Sequence, residues 1–369
     1  MPFSAVDERH MRQALALAAL GEGRVEPNPQ VGCVIAHGVE VVGEGFHQSF
    51  GGPHAEVHAL ATAGERARGA TAYVTLEPCC HFGKTPPCST ALIQAGISRV
   101  VAAQRDPFPR VAGGGFAQLE AAGIGVEIGL LEAEAKHLNA PYLHLLKSGR
   151  PWVIAKWAMT LDGKLATASG DSRWISGEAS RAVVHQIRGR VDAILVGGET
   201  ARRDDPLLTA RPPGPRTATR IVFTPSANLP LDGQLVRTAR DIPTLIACGP
   251  AADSEACEKL RAAGCEVMQL AAAAPHDGLR ELMQELGKRR MTNLLVEGGG
   301  RLLGTCFRFC LVNEVHAFIA PKLIGGTDAP TPWDDIGRPL MSEALQLESF
   351  QSERLGDDLY LRGRLPSEN

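Results

Sequence analysis

Three metal-binding side chains and one carboxylate constrain this chain more than any other feature: His54-Ala55-Glu56, then Pro78-Cys79, then Pro87-Cys88. A zinc ion that does chemistry takes three protein ligands and keeps a fourth position open. One imidazole and two thiolates supply such a set, with a charge that cancels that of the ion. Water in the fourth position has its pKa lowered from about 16 to about 7, so hydroxide is available at neutral pH. Glu56 is placed to take a proton from that water and deliver it to a leaving group. The segments carrying these residues must therefore converge on one point.

His-x-Glu followed by Pro-Cys-x-x-Cys is the signature of zinc deaminases, with the glutamate as acid/base and not as a ligand. The first half of the pattern is met. The second departs from it, because Cys79 and Cys88 stand nine positions apart, Cys80 follows directly, and the loop His81–Pro87 lies between. A structural zinc knuckle or a chance pair of buried thiols would leave His-x-Glu without a role. His58, four residues beyond His54, shares its helical face and is the alternative imidazole. Cys80 is the alternative thiol, at the cost of strain between adjacent ligands.

At 369 residues the chain is too long for one ordinary domain and predicts two. The small, basic, helix-breaking stretch Lys147-Ser-Gly-Arg-Pro151 marks the boundary, giving domains 1–148 and 149–369. With 38 basic and 41 acidic residues and no long run of either, the sequence carries no nucleic-acid footprint, and 5% aromatic residues offer few stacking groups for bases. Small-molecule substrates are favoured. The nine cysteines do not form a disulfide framework, the first ten residues have no apolar signal core, and no run approaches a membrane span. These features predict a reduced, soluble, cytoplasmic protein.

The first half predicts a helix through Met11, Ala14, Leu15 and Ala18, stopped at Gly21, then a strand pair over 31–36 and 39–42. A helix whose first turn carries His54 and Glu56 follows, then a strand over 72–75, a second helix opening at Cys88, and strands over 99–103 and 126–128. The second half predicts strands over 152–159, 193–196, 220–223, 244–247 and 294–296, a helix over 178–187, and later β segments. The polar, Pro-rich run Asp204–Pro215 has the composition of a linker. Val296-Glu-Gly-Gly-Gly-Arg301 predicts a strand, a glycine turn and a helix, as suited to a plain tight turn as to a phosphate cradle.

Together these stretches resemble the bifunctional bacterial deaminase/reductases of riboflavin biosynthesis. The likeness spans nearly the whole length. It rests on Pro27-Asn-Pro-Gln-Val-Gly-Cys-Val34, His54-Ala-Glu-Val-His58, the loop Thr75–Cys88, Lys156-Trp-Ala-Met-Thr-Leu-Asp-Gly-Lys164, Thr167–Ile175, Asp204-Asp-Pro-Leu-Leu-Thr209, Glu297-Gly-Gly-Gly300 and Ile319–Gly325. The resemblance implies an α/β architecture, with a cytidine-deaminase-like α/β/α domain followed by a dihydrofolate-reductase-like α/β domain. It implies one zinc on His54, Cys79 and Cys88, with Glu56 as proton shuttle. Asn28, His47, His81 and Lys84 would hold the pyrimidine or its phosphate. It also implies an NADPH-dependent reductase. Ala158, Trp174, Thr200, Asp204 and the turn Gly299, Gly300, Arg301, Leu302, Leu303, Gly304 and Thr305 would meet the cofactor, and Lys156, Ser172, Arg188, Leu208, Arg211 and Glu297 the substrate. Arg188 and Arg211 suit phosphate, because a guanidinium binds two oxygens at once. Small-molecule phosphoribosylaminopyrimidines and a homo-oligomeric state complete the expectation, with neither nucleic acid nor membrane as partner.

Read without the resemblance, Trp174 would be core packing and Arg188 a charge on a helix surface. Three departures fall in the second half, one of them the unusual Cys306-Phe-Arg-Phe-Cys310 near the last helix. Thr200-Ala-Arg-Arg-Asp-Asp-Pro206 places Arg202 and Arg203 where apolar residues are common in the family, and Thr224-Pro225 stands where the family commonly has Asp-Ser, removing a hydroxyl and a backbone donor from a cofactor position. Arg202 or Arg203 is a candidate contact for the 2′-phosphate of NADPH. The rival expectation is a deaminase whose second domain is catalytically silent.

Overall fold

The computed structural model describes residues 3–81 and 86–366, so Lys84 lies outside the described residues. The chain divides into two compact units, Met1–Ser148 and Gly149–Asn369.

The first unit is built on five strands: β1 (Gly32–His37), β2 (Glu40–Phe46), β3 (Thr71–Val74), β4 (Arg99–Ala102) and β5 (Gly125–Ile128), in the order β2-β1-β3-β4-β5. β1 runs antiparallel to β2 and β3, whereas β3, β4 and β5 are parallel. Alternate residues of β1 feed two cores, as the two-residue period of a strand requires. Val34 and Ala36 pack with Met11 and Ala14 of the helix Ala5–Ala19, which Ser4 and Asp7 close with a capping box. Cys33 and Ile35 face Ala59 of the helix Ala55–Ala63, Leu92 of Cys88–Gln94 and Phe116 of Gly114–Ala121.

Two glycines of β2 set the height of the helix Ala55–Ala63 above the sheet. A Cβ at Gly43 would sit 2.3 Å from the Ala59 carbonyl oxygen, and one at Gly45 would sit 2.5 Å from the Ala55 carbonyl oxygen and 2.6 Å from the His58 Cβ. Backbone thus rests on backbone beneath the turn that carries His54 and Glu56. β2 runs on to Phe46, four residues beyond the expected Val42.

The second unit holds nine strands: β6 (Trp152–Thr160), β7 (Ala193–Gly197), β8 (Thr219–Thr224), β9 (Thr244–Cys248), β10 (Glu266–Gln269), β11 (Asn293–Val296), β12 (Glu314–Ala320), β13 (Glu348–Leu355) and β14 (Asp358–Arg364). Their order is β10-β9-β8-β7-β11-β6-β12-β14-β13, parallel from β10 to β12 and antiparallel across β14 and β13. The helices Pro275–Lys288 and Gly300–Arg308 cover one face through Leu279, Leu282, Leu303 and Phe307. β10 and the helices Ser254–Ala263 and Pro275–Lys288 carried no expectation from the sequence. Asp204–Pro215 is no linker: Leu208 is 3% exposed with a left-handed φ of 54°, turned inward in the folded unit.

Candidate active sites

In the first unit, the turn leading into one helix and the start of another bring the metal-binding atoms together. His54 has extended backbone and directly precedes the helix Ala55–Ala63, and Glu56, in its first turn, is buried. Cys88 opens the helix Cys88–Gln94, and Cys79 lies in the turn after β3. His54 Nδ1 is 3.3 Å from Cys88 Sγ and 3.6 Å from Cys79 Sγ, and all three atoms lie within 4.8 Å of one another. A tetrahedral zinc with ordinary nitrogen and sulfur bond lengths separates those atoms by about 3.6 Å. The donor set therefore fits zinc in both chemistry and spacing. Cys80 and His58 stand apart from it. Cys80 Sγ faces the Arg110 and Val111 carbonyls at 3.6 and 3.9 Å, and His58 Nε2 is buried without a hydrogen-bond partner.

The electrostatics agree with a ligand set. Its hydrogen bond with the Cys88 thiol, reinforced by the His54 imidazole, holds Cys79 down to about 4. The same shared proton, with burial, pushes Cys88 upward. Burial raises Glu56, as a proton-carrying carboxyl requires. Asn28 Nδ2 donates to His47 Nε2 at 3.2 Å, and His47 Nδ1 donates to the Pro53 carbonyl at 3.0 Å. The His47 ring meets the His54 ring edge-on at 5.3 Å, so Asn28 and His47 border the metal-binding atoms. His81 packs near Phe108, its ring centroid 6.2 Å away, with Nδ1 unpartnered.

Sequence reasoning missed Glu77, although it lies inside the Thr75–Cys88 loop. Its buried carboxylate accepts four backbone N–H bonds, from Asp106 (3.3 Å), Gly113 (3.1 Å), Gly115 (3.0 Å) and Phe116 (3.4 Å). Glu77 thereby pins the 106–116 segment against the turn that holds Cys79. The available signal was an acid directly before Pro78 in an otherwise apolar stretch.

In the second unit a cleft of about 1260 Å³ opens beside the helix Glu178–Arg188 and the Gly298–Gly300 turn. Lys156, Ala158, Ser172, Trp174, Arg188, Thr200, Asp204, Leu208, Arg211, Glu297, Gly299, Gly300, Arg301 and Leu302 all line it. Leu303, Gly304 and Thr305 do not. Leu303 is fully buried in the core, the Cα of Gly304 faces Asp334 and Asp335, and the Thr305 hydroxyl donates to the Arg301 carbonyl. One helical turn carries these three residues off the cleft face.

Glu297 is the electrostatic centre of the cleft. Arg188 Nε and Nη2 donate to its two oxygens at 2.6 and 2.9 Å, and Lys156 Nζ stands 3.6 Å away. Burial alone would raise this carboxyl, but the two cations hold it down to about 2. Burial lowers Lys156. Arg188 is thus a buried pairing residue, contrary to its reading as a helix-surface charge. Trp174 reverses in the other direction: it is 66% exposed at the cleft, with the Arg181 guanidinium 4.8 Å over its ring, and not a core residue. Arg203 lines the cleft and donates to the Ser169 carbonyl at 3.1 Å, whereas Arg202 turns away to the Asn228 carbonyl. The Thr224 hydroxyl is buried without a partner.

Residues 4–104 match the family described as the cytidine and deoxycytidylate deaminase zinc-binding region, and residues 151–361 match the RibD C-terminal domain. Fold and sites together define the class: an enzyme that joins a zinc-dependent deaminase to an NADPH-dependent reductase on one chain. The chain is 44% identical to the riboflavin biosynthesis protein RibD of Actinobacillus pleuropneumoniae, covering 96% of this chain and 94% of that one. It is 40% identical to the RibD of Escherichia coli strain K12, over 96% and 98%. Among solved structures, Acinetobacter baumannii RibD aligns with a TM-score of 0.87 at 36% identity over 98% and 99% of the two chains. The Thermotoga maritima diaminohydroxyphosphoribosylaminopyrimidine deaminase/5-amino-6-(5-phosphoribosylamino)uracil reductase aligns with a TM-score of 0.82 at 31% identity, over 98% and 99%. The chain belongs to the RibD family of bifunctional riboflavin-biosynthesis proteins. No helix among the described residues is long and apolar enough to cross a membrane.

Proposed function

We propose that residues 1–148 hydrolyse the 2-amino group of 2,5-diamino-6-(5-phosphoribosylamino)pyrimidin-4(3H)-one, and that residues 149–369 reduce the ribosyl group of the resulting 5-amino-6-(5-phosphoribosylamino)uracil to ribityl. Zinc, when bound, supplies an activated water at neutral pH, and NADPH, when bound, supplies hydride. His54, Cys79 and Cys88 hold one zinc per chain. Glu56 carries a proton from the attacking water to the departing ammonia, and its burial keeps that proton from bulk solvent. Asn28 and His47 hold the pyrimidine; the Pro53 carbonyl accepts from His47 Nδ1 and fixes that imidazole in one tautomer. His81 and Lys84 join them in holding the pyrimidine or its phosphate.

In the second unit, Ala158, Trp174, Thr200, Asp204 and Gly299–Leu302 border NADPH, while Leu303, Gly304 and Thr305 support that turn from behind. Lys156, Ser172, Leu208, Arg211 and Glu297 border the substrate. Arg188 spends its fork on Glu297 and positions that carboxylate, which leaves Arg211 as the guanidinium for phosphate. Hydride transfer depends on holding two carbons in near-attack geometry, so positioning is the main work of these residues. The observation that carries the reading is the triangle of His54, Cys79 and Cys88 beside the buried Glu56.

The same reading has the protein act in the cytoplasm as a homo-oligomer, and elution as a monomer at working concentration refutes the latter. The test of the reductase half is NADPH oxidation by zinc-loaded protein given the already deaminated ribosyl phosphate. Turnover supports both halves. Ammonia release from the aminated precursor without NADPH oxidation would assign deamination alone.

A further inference from the structure

Among the described residues Arg220, on β8, is the largest fully buried side chain, and no carboxylate pairs with it there. A buried charge without a counter-ion is costly unless hydrogen bonds replace its water; here neutral oxygens serve the two Nη groups, while Nε is buried without a partner. Nη1 donates to the Leu207 carbonyl at 3.3 Å and the Thr238 hydroxyl at 2.7 Å. Nη2 donates to the Leu235 and Ile242 carbonyls at 3.2 and 3.0 Å and to the Thr244 hydroxyl at 2.5 Å. An apolar side chain of similar volume would fill the same space without that cost, so the guanidinium is accounted for by what it ties together.

It ties together the segments behind one side of the cleft. Leu207 adjoins Leu208, and both line the cleft together with Arg211. Leu208 keeps its inward direction only through a left-handed backbone that a leucine does not adopt unaided. A second tie reaches the same stretch from the same side. Asp205 Oδ1 accepts from the Gln234 backbone at 2.6 Å, the Gln234 side chain donates to the Asp205 carbonyl, and the Thr238 hydroxyl donates to the Gln234 carbonyl at 2.6 Å. Arg220, Thr238, Gln234 and Asp205 thus form a continuous polar brace ending on the cleft-lining loop.

We propose that Arg220 is a positioning residue of the reductase, holding Leu207–Arg211 so that Leu208 and Arg211 meet the ribosyl phosphate substrate. This rests on the reading of the cleft as the reductase site. Arg220 does not line the cleft, so its effect falls on substrate binding more than on the chemical step.

The test is Arg220→Met in the full-length zinc-loaded protein, with KM and kcat for the deaminated ribosyl phosphate at saturating NADPH. Calorimetric binding of that compound without NADPH and ammonia release by the first unit are measured alongside. The expected result is a rise of about tenfold in KM and in Kd, kcat within about twofold of wild type, and unchanged ammonia release. Wild-type KM and Kd in a folded variant, or a fall in kcat alone, overturns the proposal. Should Arg220→Met fail to fold, Thr238→Val removes one link of the brace and should raise KM by about threefold in the same direction. A wild-type KM in that variant would equally overturn it. Failure of the cleft reading is distinguishable, because the wild-type protein would then neither bind nor turn over the compound.

Discussion

Replacing Glu297 by Gln removes the charge that neutralises two buried cations in the cleft, Arg188 and Lys156, and the cost follows from the geometry. A carboxyl held at about 2 in place of 4.5 contributes about 3 kcal/mol to stability at neutral pH. Breaking a buried ion pair by removing one partner gives about 3–5 kcal/mol independently. Because folding lowers this pKa, the contribution is complete above about pH 4.5 and drains away as the pH falls toward 2. All four tryptophans, Trp152, Trp157, Trp174 and Trp333, lie in the second unit. Urea unfolding of the full-length protein followed by tryptophan emission therefore reports on that unit alone. Glu297→Gln should lose about 3 kcal/mol at pH 7.5 and show a shallower loss of stability on acidification than wild type. Adding Lys156→Met should recover part of the loss, since one stranded cation goes with it. A loss under about 1 kcal/mol, with the acid dependence unchanged, would refute the assignment of Glu297 as the counter-ion of this cleft.

Glu56→Gln should retain zinc by metal analysis and lose ammonia release by at least about a hundredfold, since ligation survives while proton transfer does not; normal turnover would remove Glu56 from its role. Cys88→Ser should lose zinc while Cys80→Ser keeps it, and the reverse outcome would reassign the second thiol. Arg203→Glu should raise the KM for NADPH by about tenfold or more with little change for NADH, because only the former brings a 2′-phosphate. Arg202→Glu, directed away from the cleft, should leave both unchanged, and equal losses for the two cofactors in Arg203→Glu would exclude a 2′-phosphate contact.

The first site was legible because its chemistry demands rare residue types at fixed positions. His54 was preferred to His58 by the His-x-Glu pattern, and the two separate fully in three dimensions, where the residue just before a helix and the one a turn later point to different places. The strands β7, β8, β9 and β11 were legible from their continuous apolar runs. β10, with the composition Glu-Val-Met-Gln and two exposed ends, carries no such signal. Trp174 and Arg188 were misread from residue type alone, because an exposed tryptophan and a buried arginine each invert the usual preference and are explained by partners that only the fold brings against them. Those partners are Arg181 and Glu297. Asp204–Pro215 has a linker's composition, yet Arg220 and Gln234 hold its first residues from the adjoining segments. Glu77 and Arg220 share one difficulty: each serves backbone groups, and backbone partners leave no trace in the pattern of side chains.

The contact of β2 with the helix Ala55–Ala63 gives the deaminase unit a mechanical vulnerability. With no side chain at Gly43 or Gly45, nothing between the two backbones can yield, so an added methyl group must lift the helix bodily. The lift would be felt first at His54 and Glu56, which ride on that helix's leading turn. Mutational tolerance in this unit should then divide unevenly: substitutions on a strand with no chemistry of its own would silence the enzyme at a dose of strain that leaves the fold standing.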